Sequence, residues 1–330
     1  MAGVQGSALA ITVSNAGALG SLPCALLTID GMRRELAAIA TGTTRPYNVN
    51  FFCHSTPDPA PDRERGWRAA LAPYYDELGV THAEIPSGPG RESFNAEIAD
   101  ALSEFRPPVV SFHFGLPSPE LLDIVRRWRP KILSSATTVD EARWLEAHGA
   151  DVIIAQGYEA GGHRGMFLSD DLTTQVGTFA LLPRVVNAVH VPVVAAGGIS
   201  DARAVAAAMS LGAAGVQVGT AYLLCPEATT SAVHRTALKG DAAGHTAVTN
   251  VFTGRPARGI VNRLIREQGA MSPAAPPFPL ATSAVLPLRM AAERSGSGDF
   301  SPMWCGQNAT GCQEIPAADL TRELAALVVT

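Results

Sequence analysis

The stretch QGYEAGGHRG, residues 156–165, sets a single histidine among glycines directly after an apolar run. Imidazole is the one side chain there that titrates near neutrality, so His163 can serve as base, acid or hydrogen-bond donor. Gly161, Gly162 and Gly165 remove the side chains that would hold a flat ligand away from the backbone. A lone histidine usually caps local carbonyls; the glycine surround and the position after a strand favour chemistry here. Glu159 and Arg164 can pair with each other or cap a helix, and neither is assigned a catalytic role. His54 and His113 also close apolar runs, but those runs are rich in phenylalanine (NFFCH and SFHF). They read equally well as packed, hydrogen-bonded core histidines.

A second pattern lies downstream. VVAAGGISDA (193–202) and GVQVGTAYL (215–223) are successive apolar runs ending in Gly-Gly and Gly-Thr, the first leading straight into a helix. Backbone N–H groups exposed by glycine next to a helix N-terminus bind a phosphate dianion. Neither loop holds Lys or Arg, so a phosphate there would be held mainly by backbone. GRPAR (254–258) is a weaker anion candidate and reads more readily as two surface arginines flanking a turn. No G-x-G-x-x-G follows a strand with an acidic residue beyond it, and G-x-S-x-G, H-E-x-x-H and P-loop patterns are absent.

These residues need strands that end together. Seven strand candidates, 16–22, 47–53, 109–114, 131–135, 151–156, 191–197 and 215–220, are mostly continuous apolar runs, as parallel strands covered on both faces require. Helical patterns separate them. TVDEARWLEAHGA (138–150) opens on a capping box in form, Thr138 to Glu141, and SDARAVAAAMSLGA (200–213) opens on a Ser200 cap. Repeated β-α units give an open doubly wound sheet or a (β/α)8 barrel. In a barrel, sites form at the C-terminal strand ends, with phosphate commonly held after strands seven and eight. GSALAITVSN (6–15) reads as the helix after a first strand that is missing or reduced to a stub.

Composition limits the function classes. The 330 residues are 47% apolar with a formal net charge of −5, enough for a large core and without the basic excess of a nucleic-acid binder. Five scattered cysteines show no C-x-x-C, which argues against a zinc site or disulfide framework and for a reducing, cytoplasmic compartment. No membrane span or signal peptide is read. The expected organisation is a barrel over residues 1–220, a small, mainly helical substrate or lid subdomain over 221–295, and a C-terminal loop and helix over 296–330 returning to the barrel.

QGYEAGGHRG, the two glycine loops and NVNFFCH together resemble the class I nitronate monooxygenases, formerly called 2-nitropropane dioxygenases. TNVFTGRPARGIVNR (249–263) and FSPMWCGQN (300–308) resemble that family's C-terminal motifs. The resemblance implies a (β/α)8 TIM barrel with a small second domain and noncovalent FMN. It implies oxidation of alkyl nitronates by O2 through a flavin semiquinone, giving nitrite and a carbonyl without NAD(P)H, with propionate 3-nitronate as substrate. It also implies that Gly198, Gln217, Val218, Gly219 and Thr220 hold the FMN phosphate and ribityl end. Asn50, Gln156 and Gly161 would line the flavin. His163 would position the nitronate or take the α-proton of a neutral nitroalkane. The family's first strand ends in Pro-Met, and Met1 matches that methionine, so the upstream strand is absent from this sequence. Two rivals remain. One is an FMN-dependent NAD(P)H reductase on the same barrel, acting on quinones or enoyl thioesters. The other is a flavin-free phosphate-binding barrel, which would need a strand-end lysine; Lys131 stands at the start of its strand.

Overall fold

Continuous apolar runs in this chain do become parallel strands. The computed structural model describes residues 1–58, 60–81 and 91–328. The strands are β1 (Gly20–Pro23), β2 (Tyr47–Phe52), β3 (Val109–His113), β4 (Lys131–Ala136), β5 (Val152–Gln156), β6 (Gly162–His163), β7 (Val193–Ala196), β8 (Gly215–Gln217), β9 (Thr246–Thr249) and β10 (Ala257–Ile260). Seven of them form one parallel sheet in the order β1-β2-β3-β4-β5-β7-β8. With helices packed around it, this curled sheet is of TIM-barrel type. Among the described residues no further parallel strand joins β8 to β1.

Register decides which side chains converge. Paired residues of parallel strands share a face, and Asn50 pairs with Ser111, Ser111 with Leu133, Ser135 with Ile154, and Gln156 with Ala196. The other face carries Val49, Phe51, Val110, Phe112 and Ile132, which are buried against the surrounding helices. On the first face, β1 to β3 are polar: Asn48 Nδ2 donates to Ser21 Oγ at 2.7 Å and Ser111 Oγ at 2.8 Å. Leu133, Ile154 and Ala196 fill that face further round.

Helix starts follow local chemistry. Thr138 caps helix Val139–Ala147 by accepting from Glu141 N–H at 3.2 Å, but the Glu141 carboxylate reaches Thr137 rather than closing a reciprocal box. The expected Ser200 cap is corrected. Asp201 caps helix Ala202–Ser210, accepting from Ala204 N–H at 2.8 Å, because its carboxylate stands at the N-cap position. Ser200 Oγ instead accepts from Asn308 Nδ2 at 2.8 Å.

Residues 221–295 contain helices together with β9 and β10. These two strands and β6 make a three-stranded antiparallel sheet, so His163 stands on a strand rather than in a bare loop. Helix Pro61–Leu78 contributes Trp67, Leu71, Tyr74 and Tyr75 to the same core as Phe252, Leu264, Val285, Leu288 and Phe300. No described helix is long and apolar enough to cross a membrane.

Candidate active site

His163 is fastened from three sides. Its backbone pairs with Ala257 of β10, and its carbonyl accepts from Gln156 Nε2 at 2.9 Å and meets His113 Nε2 at 3.1 Å. Gln156 Oε1 accepts the Gly165 N–H at 2.7 Å, so this amide clamps both ends of the segment. The ring's Nε2 lies 3.0 Å from Thr253 Oγ1, and Thr253 also contacts the Arg255 carbonyl at 3.4 Å. His163 Nδ1 has no hydrogen bond among the described residues.

The neighbouring glycines divide by use. A Cβ on Gly161 would meet Gly306 N at 2.6 Å, and one on Gly165 would touch the His113 ring and Ser135 at 3.0 Å. At those two positions the chain itself takes the space. Gly162, at φ +73°, faces open space within 4 Å. Arg164 and Glu159 do not form an ion pair. Arg164 is fully buried, donating to the carbonyls of Gly157 at 2.7 Å and Gln156 at 2.9 Å. Glu159 caps helix Thr178–Val186 through Thr178 N–H and Oγ1.

The surroundings of His163 are aromatic. Phe52, Phe114 and Phe278 stand 5.8, 5.9 and 5.3 Å from the His163 ring, with Trp304 at 5.5 Å. Of the two doubtful histidines, His113 is a hydrogen-bonded core residue, its Nδ1 being 3.0 Å from Ser135 Oγ. His54 is packed edge-on to Phe278 at 4.8 Å, yet neither of its nitrogens has a hydrogen-bond partner.

Burial holds all these imidazoles neutral. It pushes His113 down to about 3 and His54 to about 4. His163 is lowered well below its ordinary value by burial first, then by Arg91, His113, Arg255 and His54. The distant His234, also buried, is lowered to about 4.

Across the same end of the sheet, the turn after β7 is built on Gly197 at φ +118° and Gly198 at φ +74°. A Cβ on Gly197 would meet Thr178 Oγ1 at 2.8 Å. The Ala196–Gln217 pairing brings this turn beside Gly219. Among the described residues, the N–H groups of Gly198 and Gly219 donate to no acceptor, which fits a backbone cradle for phosphate. Gln217 is exposed, whereas Val218 is half-buried in an apolar cluster with Leu9 and Val205, leaving its backbone for the cradle. Thr220 Oγ1 accepts from Gly306 N–H at 3.0 Å and ties the C-terminal loop over this end. Asn50 is held by Ser111 Oγ at 2.9 Å, on the face shared with Gln156 but three strands away.

A family profile described as nitronate monooxygenase matches residues 1–326. The chain belongs to the nitronate monooxygenase family. It is 41% identical to the Pseudomonas aeruginosa nitronate monooxygenase, over 98% of this chain and 93% of that one. The Paraburkholderia phytofirmans nitronate monooxygenase is 38% identical over 98% and 89%. Among solved structures, nitroalkane oxidase from Streptomyces ansochromogenes superposes with a TM-score of 0.90 at 38% identity, covering 99% of this chain and 93% of that one. FabK from Thermotoga maritima gives 0.70 at 26% identity, over 99% and 89%. This family member is thus an enzyme of the oxidoreductase class.

The residues that surround His163 were not legible in the sequence. GRPAR is not a pair of surface arginines. Arg258 is 2% exposed and donates to the Tyr158 carbonyl at 3.0 Å, and Arg255 lies 4.1 Å over the Phe114 ring. Thr253, Phe278 and Arg91 were also unforeseen, since a single turn or loop residue carries no signal of the ring it will meet.

The neutral histidines make stability pH-dependent, with a definite sign. Unfolded histidine binds a proton below about 6.5, whereas these remain neutral to about 4 or lower in the fold. The unfolded chain therefore holds more protons in that window. Stability is complete above about pH 7 and is lost as pH falls from 6.5 towards 4, at up to about 1.4 kcal/mol per pH unit for each histidine. Urea unfolding at pH 7.5, 6 and 5 measures the slope, and His234→Leu is expected to reduce it. An unchanged slope in that variant contradicts the assignment of His234 as a neutral buried group.

Proposed function

We propose that this enzyme oxidises alkyl nitronates with O2 to a carbonyl compound and nitrite, using noncovalently held FMN, with propionate 3-nitronate as substrate in the cytoplasm. The observation that carries the reading is the neutral, buried His163, whose Nδ1 makes no hydrogen bond among the described residues, between aromatic rings and beside Gly162. The family membership adds the class of reaction.

Each residue then has a defined task. Gly198 and Gly219 offer N–H groups to the FMN phosphate, with Thr220 and the backbone of Gln217 and Val218 alongside. Asn50, Gln156 and Gly161 line the flavin, Gln156 and Gly161 chiefly through the backbone they fix. When bound, FMN supplies the electron acceptor for the substrate.

Proton placement follows from the hydrogen-bond network. If Thr253 donates to the Arg255 carbonyl, its oxygen accepts His163 Nε2–H, leaving the lone pair on Nδ1. Nδ1 then takes the α-proton of a neutral nitroalkane. The depressed basicity makes that a slow route in the free enzyme. An already ionised nitronate needs no such step, which is why nitronates are the preferred substrates. Closely packed Phe52, Phe114, Phe278 and Trp304 limit water around the carbanion-like carbon.

The test is an absorbance spectrum of the purified protein, repeated after anaerobic addition of propionate 3-nitronate and, separately, NADH. A flavin spectrum that changes with the nitronate and not with NADH is expected. Bleaching by NADH alone would transfer the chain to the reductase reading, which the FabK likeness keeps as the second candidate. A colourless protein that binds no added FMN would remove the flavin from the proposal.

A further inference from the structure

Three adjacent strands of the large sheet are each preceded by the same dipeptide. Arg45-Pro46 leads into β2, Arg106-Pro107 into β3 and Arg129-Pro130 into β4. Asn48 pairs with Val109 and Val109 with Lys131, so the three arginines stand almost level along the N-terminal edge of the sheet. Arg127 lies in the same loop as Arg129. All four are exposed, and among the described residues none has an acidic oxygen within 4 Å. Their neighbour Lys131, by contrast, is paired with Asp151 at 3.4 Å. Unmatched cations are thus gathered at one pole of a chain whose formal net charge is −5.

The backbone holds two of these arginines against its own preference. Arg106 is at φ +47° and Arg129 at φ +56°, in the left-handed region that glycine fills without penalty. A side chain kept there points to a use for it. Between helices Ala96–Ser103 and Pro119–Arg126 a cleft of about 310 Å³ opens, lined by Asp100, Ser103, Arg106, Ile124, Arg127 and Trp128. Trp128 is half-buried, and its Nε1–H donates to the Pro107 carbonyl at 3.1 Å, which fixes the ring. Among the described residues no guanidinium lies over that ring. Asp100 is the one acid in the lining, and it forms no ion pair among the described residues. Its carboxylate repels a bare polyanion but accepts a hydrogen bond from a sugar hydroxyl.

We infer that this cleft binds a nucleotide. The base lies on the Trp128 indole, a ribose hydroxyl donates to Asp100, and the phosphates run over Arg106 and Arg127 with Arg45 and Arg129 on either side. An indole face stacks any base, and the guanidinium fork matches phosphate oxygens two at a time. The site is separate from the one around His163. From Arg106 to His113, at the other end of β3, the chain rises about 20 Å at about 3.3 Å per residue. A nucleotide there leaves the His163 end of the sheet open.

The test is calorimetric titration of the protein, loaded with one equivalent of FMN, with ATP and separately with inorganic triphosphate, at low and at high salt. Wild type is expected to bind ATP roughly 5- to 100-fold more tightly than triphosphate, the range that one stacked base supplies. Arg106→Gly and Arg127→Ser should each weaken ATP by about two- to fivefold, an effect that salt reduces. Trp128→Leu should bring ATP down to the affinity of triphosphate. Asp100→Asn should strengthen triphosphate while narrowing the preference for ATP. Arg106→Gly also separates binding from folding, because glycine suits φ +47°: its unfolding midpoint should equal or exceed that of wild type, and turnover without ATP should be unchanged. Absence of ATP binding, equal affinity of wild type for ATP and triphosphate, or ATP binding that Arg106→Gly and Arg127→Ser together leave intact overturns the inference.

Discussion

Replacing His163 with asparagine is expected to lower kcat/KM for a neutral nitroalkane by roughly 10²- to 10⁴-fold, and for a preformed nitronate by less than about tenfold. The larger figure is the loss of a positioned base. The amide reaches only the position of Nδ1, so the 3.0 Å contact between Nε2 and Thr253 is lost together with the basic nitrogen. The smaller figure follows because a nitronate arrives without its α-proton. Steady-state rates on nitroethane and on ethylnitronate measure the two. Equal losses on both substrates would show that His163 positions the substrate and takes no proton. Thr253→Ala provides a graded control, since it frees Nε2 and unsettles the tautomer while leaving the imidazole in place.

Glu141→Ala is expected to destabilise the fold by about 3–5 kcal/mol, because several buried donors lose their acceptor together. Glu141 is 1% exposed. One carboxylate oxygen accepts Thr137 N–H and Oγ1–H, both at 2.7 Å; the other accepts Phe167 N–H at 2.6 Å and Leu168 N–H at 3.3 Å. It thus stitches the end of β4 to the segment that follows His163. The unfolding midpoint should fall by roughly 5–10 °C. Glu141→Gln should lose less, since one amide oxygen still accepts. If the alanine variant melts within about 1 °C of wild type, water replaces the carboxylate and the stitch carries no stability. A second readout separates local from global effects. Loosening residues 166–168 should raise KM before it lowers kcat, as the His163 backbone remains clamped by Gln156.

Both residues show how unevenly the site could be read. His163 was legible because glycines on either side and an apolar strand before it are local features. The Gly197–Gly198 turn was legible for the same reason: a left-handed φ at both positions demands glycine and leaves a visible pair. Glu141 looked like one half of a capping box, and only its burial beside Phe167 shows what the carboxylate holds. Arg255 and Arg258, three residues apart across a proline, read as exposed. One is instead buried under Tyr158, and the other is directed over Phe114.

What the sequence alone determined is what depends on near neighbours. Apolar runs of strand length, helix caps and glycine turns placed all seven parallel strands of the large sheet, and the motifs identified the family. The order of those strands did not follow from the β-α pattern, which suits an open doubly wound sheet as well as a barrel; the fold shows them in sequence order, with β6 left to the smaller sheet. Tertiary structure alone decided which distant side chains meet. The turn ahead of β10, which pairs with β6, brings Thr253 and Arg255 to His163 from about ninety residues away, and helix Pro61–Leu78 joins the core of residues 247–300. The physical reason is that periodicity records which face of an element is apolar and nothing about the face it will cover. Charge is subject to the same limit: an arginine's burial is set by packing that no local pattern encodes.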